Sequence, residues 1–198
     1  MLFPKLARVE IQGELLAHLP RICSFPLVWA ALLIDLQRAH HGEQCLTRRE
    51  VQANYGRSFR LSLAEIDQLV YLVEGLASLR QAEQLPWSAL KPILAHADRD
   101  DLLTLLDAAC TAWGWNRAGL DYCREKLSSW KTADLEPSVL VTGEDVAALG
   151  VPKGPAYKTL LSAIRDAQLN EQVMDRSAAL LLLRQLAATI EGVPKGSE

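Results

Sequence analysis

The sequence predicts an all-α protein built as a multi-helix bundle. Hydrophobic residues make up 49% of its 198 residues, but aromatic residues make up only 6%. Leucine and alanine, which favour helix, dominate, and runs of β-branched residues are scarce. Helix start and stop signals also recur along the chain, with Ser, Thr or Asp before an apolar run and Gly or Pro after it. A chain of this length can bury a substantial core, as one large domain or two small ones.

The first two predicted helices lie within residues 1–41. Pro20 ends the first helix, and Ser24 caps the second. Apolar residues run nearly all round the second helix from residue 27 to residue 36, which is typical of a central helix. The same run is too short to cross a membrane.

Residues 47–60 form the most basic window of the chain. Thr47 and Glu50 form a capping box, which predicts a short helix to about residue 55 with Gly56 as its stop. The guanidinium group of arginine can donate two hydrogen bonds to one phosphate, and aromatic rings can stack on bases. The window is therefore a candidate nucleic-acid contact. The alternative is a solvated helix end with two core aromatic residues. The residues concerned are Arg48, Arg49, Arg57 and Arg60, with Tyr55 and Phe59 between them.

Four helices are predicted between residues 62 and 130. Ser62 and Glu65 form a second capping box, before a wide apolar face over residues 63–76. A helix over residues 87–96 tolerates Pro92 only in or near its first turn. Asp98 is expected to cap the next helix, and the fourth helix covers residues 117–130. The Trp113-Gly-Trp115 end of the third is interpreted as packing, with a base-stacking platform as the alternative.

The polar stretch 132–139, which contains Pro137, is the predicted hinge. It separates a helical body, residues 1–136, from a helical tail, residues 137–198. In the tail, Thr142 and Asp145 cap a short helix that Gly150 ends in a left-handed conformation. A last helix over residues 175–190 is expected to pack its leucine run, residues 180–183, on the helix before it.

A longer helix starts at Gly154-Pro155, and this start is a candidate anion site. Free N–H groups at a helix start favour a phosphate, and Lys153 and Lys158 flank them. Arg165, further along the same helix, is included as a helper. Ordinary solvated surface is the alternative for the lysines.

The run TGEDVAALGVPKGPAYKTLLSAIRDAQL, residues 142–169, resembles the carboxy-terminal segment of bacterial tRNA nucleotidyltransferases (CCA-adding enzymes) and poly(A) polymerases. In that family a TG-x-D-[LV] helix start, an LG-x-x-x-GP turn and an AQL ending recur in this order. The family usually continues with Asp-Gly, where this chain has Asn170-Glu171, a departure expected to affect only a surface turn. RLSLAEIDQLVYLVE, residues 60–74, resembles the stretch of the same family between its HD-like region and its final helices.

FPLVWAALLIDL, residues 25–36, resembles the helix of HD-type domains in which a His-Asp pair binds metal. Ile34 stands in the histidine position and only Asp35 remains, whereas such a site needs several converging ligands. His40 and His41 diverge by about 100° on a helix and cannot easily share one ion. The resemblance therefore implies a degenerate HD-like body with no metal site.

Composition sets further bounds. The net charge of −3 excludes a globally basic nucleic-acid binder, so any RNA contact must come from local patches. The four cysteines are far apart and form no C-x-x-C pair, and there is no signal peptide; we expect reduced thiols in a cytoplasmic protein. The cysteines are Cys23, Cys45, Cys110 and Cys123.

The resemblance implies RNA binding without catalysis. In the family an amino-terminal head uses Mg²⁺ and a nucleoside triphosphate to add nucleotides while the body and tail hold the RNA. This sequence has no strand-rich segment for the metal-binding carboxylates and no G-x-x-x-x-G-K turn. It resembles only the downstream half of the family, so we expect no activity and no cofactor in this chain. The expected partners are RNA, in particular tRNA, and the head of the full-length enzyme.

Other functions stay open at this stage. The sequence does not separate CCA addition from poly(A) synthesis and does not decide whether the chain forms a homodimer. A protein-interaction or dimerisation scaffold derived from the HD fold would show an exposed apolar patch and self-association, without salt-sensitive RNA affinity. A metal phosphohydrolase would bind a divalent ion and turn over, and Ile34 argues against it.

Overall fold

The computed structural model describes residues 13–41, 47–56 and 59–189, and all regular secondary structure within them is helical. The predicted all-α fold class is confirmed. A π-helical turn, Val51–Gly56, continues the third helix, and a 3-10 turn, Ala82–Gln84, follows the fourth. The α-helices of the described residues are α1 (Glu14–Ala17), α2 (Phe25–His41), α3 (Arg48–Glu50), α4 (Leu63–Leu79), α5 (Trp87–Ala95), α6 (Arg99–Trp113), α7 (Ala118–Ser129), α8 (Thr132–Leu135), α9 (Gly143–Ala148), α10 (Pro155–Leu169) and α11 (Arg176–Ala188).

The chain divides into two compact units that do not follow chain order. The first unit comprises Met1–Leu85 and His96–Ser129, and the second comprises Pro86–Ala95 and Trp130–Glu198. Helix α5 therefore belongs with the C-terminal helices, although its sequence neighbours α4 and α6 belong to the first unit. The predicted body and tail differ from these units in where they place α5 and residues 130–136.

Helix α2 lies at the centre of the first unit, as its apolar pattern predicts. It packs on α1, α4 and α6, and its Ala30, Ala31 and Leu33 are fully buried. The Ser24 hydroxyl accepts a hydrogen bond from the N–H of Leu27 (3.2 Å), so the predicted cap is present. No described helix is long and apolar enough to cross a membrane.

Helix α4 has the predicted capping box of Ser62 and Glu65, and most of its predicted face is buried. Leu63, the first residue of the helix, is instead 68% exposed. The end of α4 lies against the start of α7, where a Cβ at Gly119 would be 2.3 Å from the carbonyl oxygen of Leu79. Only glycine allows this approach of the two backbones.

The second unit has its own core, to which α9, α10 and α11 contribute, and α5 and α8 pack beside it. Several predicted signals are present: the Thr142–Asp145 capping box, a left-handed Gly150 (φ 74°), and Asp175 as the cap of α11. From the leucine run, Leu183 is buried in this core and Leu181 is 57% exposed.

Three local predictions need correction. Pro92 is the sixth residue of α5, a turn later than expected, and the helix continues because proline removes only one backbone donor there. Asp98 precedes α6, but its side chain makes no capping bond and instead accepts from the Gln68 amide (3.3 Å). The first half of the predicted hinge is the helical turn α8, whose Leu135 is buried.

Candidate nucleic-acid interface

The arginines of the basic window lie on α3 and on the turn before α4, in the first unit. Arg48 forms an ion pair with Asp67 of α4, and both side chains are more than half exposed. Such a pair contributes little to stability and occupies the guanidinium group. Arg49 is exposed and lines a shallow groove of about 400 Å³ together with Gly56, Leu63 and Ile66.

Among the described residues, the rest of the window contributes one further exposed arginine, Arg60, and one partly buried aromatic ring, Phe59. Arg60 is exposed, with a left-handed backbone (φ 54°) that turns the chain into α4. Phe59 packs edge-on against Trp29 with ring centroids 4.4 Å apart, as the alternative interpretation expected of a core aromatic. Arg57 and the side chain of Tyr55 lie outside the described residues.

The start of α10 is open. Gly154, which precedes it, offers no side-chain cap, and a Cβ at this position would meet no atom within 4 Å. Its backbone is extended (φ 169°), so other residues can adopt it. Lys153 and Lys158 are exposed, and within the described residues neither side chain makes a hydrogen bond or ion pair. The helix therefore starts without a side-chain cap on its first-turn amides, and two exposed cations lie close to this start in the chain.

Two residues that the sequence analysis missed position this helix start. The Tyr157 hydroxyl donates to the carbonyl of Gly143, so the first turns of α10 and α9 lie side by side. Arg176 of α11 donates to the Leu140 carbonyl (2.7 Å) and to the Asp145 carboxylate (2.6 Å). No local pattern marks either contact, because the partners lie 14 to 36 residues apart.

The Asp145 carboxylate beside this helix start is already engaged. It accepts from the N–H of Thr142 (2.8 Å) as well as from Arg176. The backbone N–H of Thr142 first, then the Thr142 hydroxyl and the Arg176 guanidinium, hold the pKa of Asp145 below its usual value. Because the Arg176 guanidinium partly neutralises the Asp145 carboxylate, Asp145 repels an anion at the start of α10 less strongly.

Arg165 does not join the lysines. Its guanidinium donates to the Pro137 carbonyl (2.8 Å) and to the Gln168 side-chain oxygen (2.9 Å). Gln168 is buried and donates to the Ser138 carbonyl (2.6 Å). Arg165 lies ten residues after Pro155, about 15 Å along the helix. The structure therefore gives it a structural role, holding residues 137–138 on α10.

Asp35, the residue that remains of the HD-like pair, caps a helix. Its carboxylate accepts hydrogen bonds from the N–H groups of Leu15 (3.2 Å) and Leu16 (3.3 Å) at the start of α1. Burial raises the pKa of Asp35, and these two bonds limit the rise. Within the described residues, no group of three or more His, Cys, Asp or Glu side chains is arranged to hold a metal ion.

The described cysteines are free thiols. Cys110 and Cys123 are buried, and burial raises the pKa of Cys123 to about 12. A thiol of such high pKa forms little thiolate at neutral pH and is a poor nucleophile. Cys45 lies outside the described residues.

Comparison with protein-family models, with curated proteins and with solved structures finds no match to this chain.

Proposed function

We propose that this chain is a non-catalytic, RNA-binding helical portion of a tRNA nucleotidyltransferase or poly(A) polymerase. The observation that supports this most directly is the open start of α10, with Lys153 and Lys158 exposed on either side. A backbone phosphate there would accept hydrogen bonds from the first-turn amides and neutralise the lysines. A cytoplasmic location and the degenerate HD-like body belong to the same proposal.

The order of the sequence resemblances also supports it. Stretches at residues 25–36, 60–74 and 142–169 resemble successive parts of one family, in the family's own order. In such an enzyme the absent head would bring Mg²⁺ and the nucleoside triphosphate. This chain would hold tRNA or another RNA, with Arg49 and Arg60 as a second contact, since Arg48 is shared with Asp67.

The test is a titration of labelled tRNA with the full chain, followed by anisotropy at several salt concentrations. We expect the Lys153→Ala/Lys158→Ala variant to bind more weakly and to show a log–log salt slope shallower by about one to two, because two phosphate contacts are lost. The matched control is Lys131→Ala/Arg184→Ala. It removes the same charge from two exposed cations of the same unit.

Equal losses in the two variants would mean that net charge, and not the start of α10, governs binding. No binding of tRNA at low salt by the folded chain would refute the proposal itself.

A protein-interaction scaffold is the second candidate, and one feature favours it. Ile22, Phe25 and Val28 follow each other at three-residue spacing around the start of α2, with exposures of 94%, 55% and 41%. Such a strip is typical of a protein contact. If tRNA does not bind and the chain sediments as a dimer that Ile22→Glu dissociates, this function replaces RNA binding.

A further inference from the structure

At the end of α6, the indole rings of two tryptophans each have the guanidinium group of a distant arginine lying over them. The guanidinium carbon of Arg38 (α2) lies 4.4 Å from the ring centroid of Trp113, and that of Arg80, at the end of α4, lies 4.4 Å from that of Trp115. The two indoles are 4.9 Å apart and tilted by 59°. All four residues belong to the first unit, where they form one Arg–Trp–Trp–Arg row.

The turn between the tryptophans brings them together at the surface. Gly114 ends α6 with a left-handed backbone (φ 63°), a conformation that glycine adopts at little cost. A Cβ at Gly114 would meet no atom within 4 Å, so the turn faces open space. Arg80 is exposed, and Trp113 and Trp115 are partly exposed, although the indole nitrogen of Trp113 is buried.

Two further arginines follow this turn in the chain. Asp107 of α6 accepts from Arg117 (2.7 Å) and from Arg124 of α7 (2.9 Å), whose side chains are about half exposed. Burial alone would raise the pKa of Asp107, but the two guanidinium groups outweigh burial and lower it. Asp121 also lies near Arg117, so two carboxylates offset the charge of these two arginines.

We propose that the Trp–Arg cluster, defined as Arg38, Arg80, Trp113 and Trp115, binds a single-stranded segment of RNA. This inference rests on the proposed RNA-binding function and places a further contact in the first unit, in addition to Arg49 and Arg60. An arginine held on an indole is partly pre-organised, so it loses less rotamer entropy on binding. Its N–H groups can donate to phosphate, while indole and guanidinium faces stack on bases.

The chemistry of the cluster fits RNA better than a protein partner. Among the described residues, the large apolar side chains that are strongly exposed lie elsewhere, for example Ile22 and Leu63 in the same unit. The cores of protein interfaces are depleted of charge, whereas this surface consists of guanidinium and indole groups. Base stacking on aromatic rings is tolerant of sequence, so we expect little base preference.

Binding of a fluorescein-labelled oligoadenylate of about 12 nucleotides to the full chain tests the cluster, since this length is within the usual site size. We expect Arg38→Gln/Arg80→Gln to weaken binding at least tenfold and to make the salt slope shallower by about one to two. Lys131→Gln/Arg184→Gln, with the same loss of charge in the other unit, is the matched control and should change affinity less than about threefold.

Trp115→Leu separates stacking from charge. It removes a stacking ring without changing the net charge, so affinity should fall about tenfold while the salt slope stays unchanged. A 5-iodouridine placed in the oligonucleotide should crosslink to Trp115 in the wild-type chain. Thermal unfolding of each variant checks that the fold is retained, and the crosslink does not depend on any variant.

The outcomes distinguish the cluster from the proposed function. If the Lys153→Ala/Lys158→Ala variant loses tRNA affinity while Arg38→Gln/Arg80→Gln and Trp115→Leu bind like wild type, the cluster inference is wrong and RNA binding stands. If the chain binds no RNA, both are wrong. If RNA is not bound but the chain self-associates through this surface, the cluster is a protein contact and the inference is likewise overturned.

Discussion

Glu171 has an unfavourable backbone conformation, whose cost is offset by an ion pair with a residue far away in the sequence. It follows α10 with a left-handed backbone (φ 58°), where the resembled family has glycine. A non-glycine residue in this conformation costs about 1 kcal/mol. Its carboxylate pairs with the ammonium of Lys91 (2.9 Å), which is only 2% exposed and lies 5.1 and 5.2 Å from the ring centroids of Trp87 and Trp130.

Asn170, the preceding residue, reinforces the same contact. Its side-chain oxygen accepts from the N–H of Ser88 (2.8 Å) in the first turn of α5. The Asn170-Glu171 pair thus holds α5 on the end of α10. The presence of Asn170-Glu171 in place of Asp-Gly therefore affects the packing of α5 as well as the surface turn, which alone was expected to change.

The coupling of Glu171 to Lys91 can be measured by urea unfolding. Removing one partner of a buried ion pair is costly, but the Glu171 side chain is 40% exposed, so we expect Glu171→Ala to destabilise the fold by about 2 kcal/mol. Glu171→Gly should cost about 1 kcal/mol less, since glycine relieves the left-handed backbone.

The control is the Lys91→Met background. There no ammonium needs the carboxylate, and Glu171→Gly should become stabilising. If Glu171→Gly and Glu171→Ala lower stability equally in both backgrounds, the compensation does not exist.

At the scale of the element, the start of α10 differs from the starts of α4 and α9, which are closed by capping boxes. Those helices satisfy their first-turn amides with their own side chains. Helix α10 does not, and its preceding Gly154 leaves space for another group. A helix start of this kind can accept an external anion or an introduced cap, but not both.

This competition predicts a difference between two caps at one position. Gly154→Asp and Gly154→Asn should both retain or raise the melting temperature slightly, because Asp and Asn cap as well as or better than glycine. Only Asp places a negative charge on the amides, so tRNA affinity should fall about tenfold for Gly154→Asp and much less for Gly154→Asn. Equal affinities in the anisotropy titration would exclude phosphate binding at these amides.

At the scale of the whole molecule, the main feature is the assignment of α5 to the C-terminal unit. Its Leu90 and Leu94 are fully buried, and the helix packs on α10 and α8. The unit is therefore assembled from two separate stretches of chain, Pro86–Ala95 and Trp130–Glu198.

Hydrogen exchange on a core variant tests this assignment. Leu183 is fully buried in the second core, so Leu183→Ala should destabilise that unit by about 3 kcal/mol through the cavity it creates. We expect amide exchange in α5 to accelerate together with α10, while exchange in α6 changes little. Exchange in α5 that follows α6 instead would place α5 with the first unit.

The sequence by itself determined the fold class and the position of most helices of this protein. Capping boxes at Thr47, Ser62 and Thr142 and the left-handed Gly150 involve residues at most three positions apart, so their signals are local. The apolar pattern of α2 likewise predicted a central helix, because burial on all sides requires apolar residues on all sides. The start of α10 without a side-chain cap, and the lysines on either side of it, are predicted from the same local information.

Only the tertiary structure decided what the polar side chains do. Asp35 caps α1 from a distance of 20 residues, Arg165 holds Pro137 across 28, and Glu171 meets Lys91 across 80. The row of Arg38, Trp113, Trp115 and Arg80 likewise joins three parts of the chain. Helical periodicity specifies which face of an element is apolar, but it does not specify which distant charge or ring that face will meet.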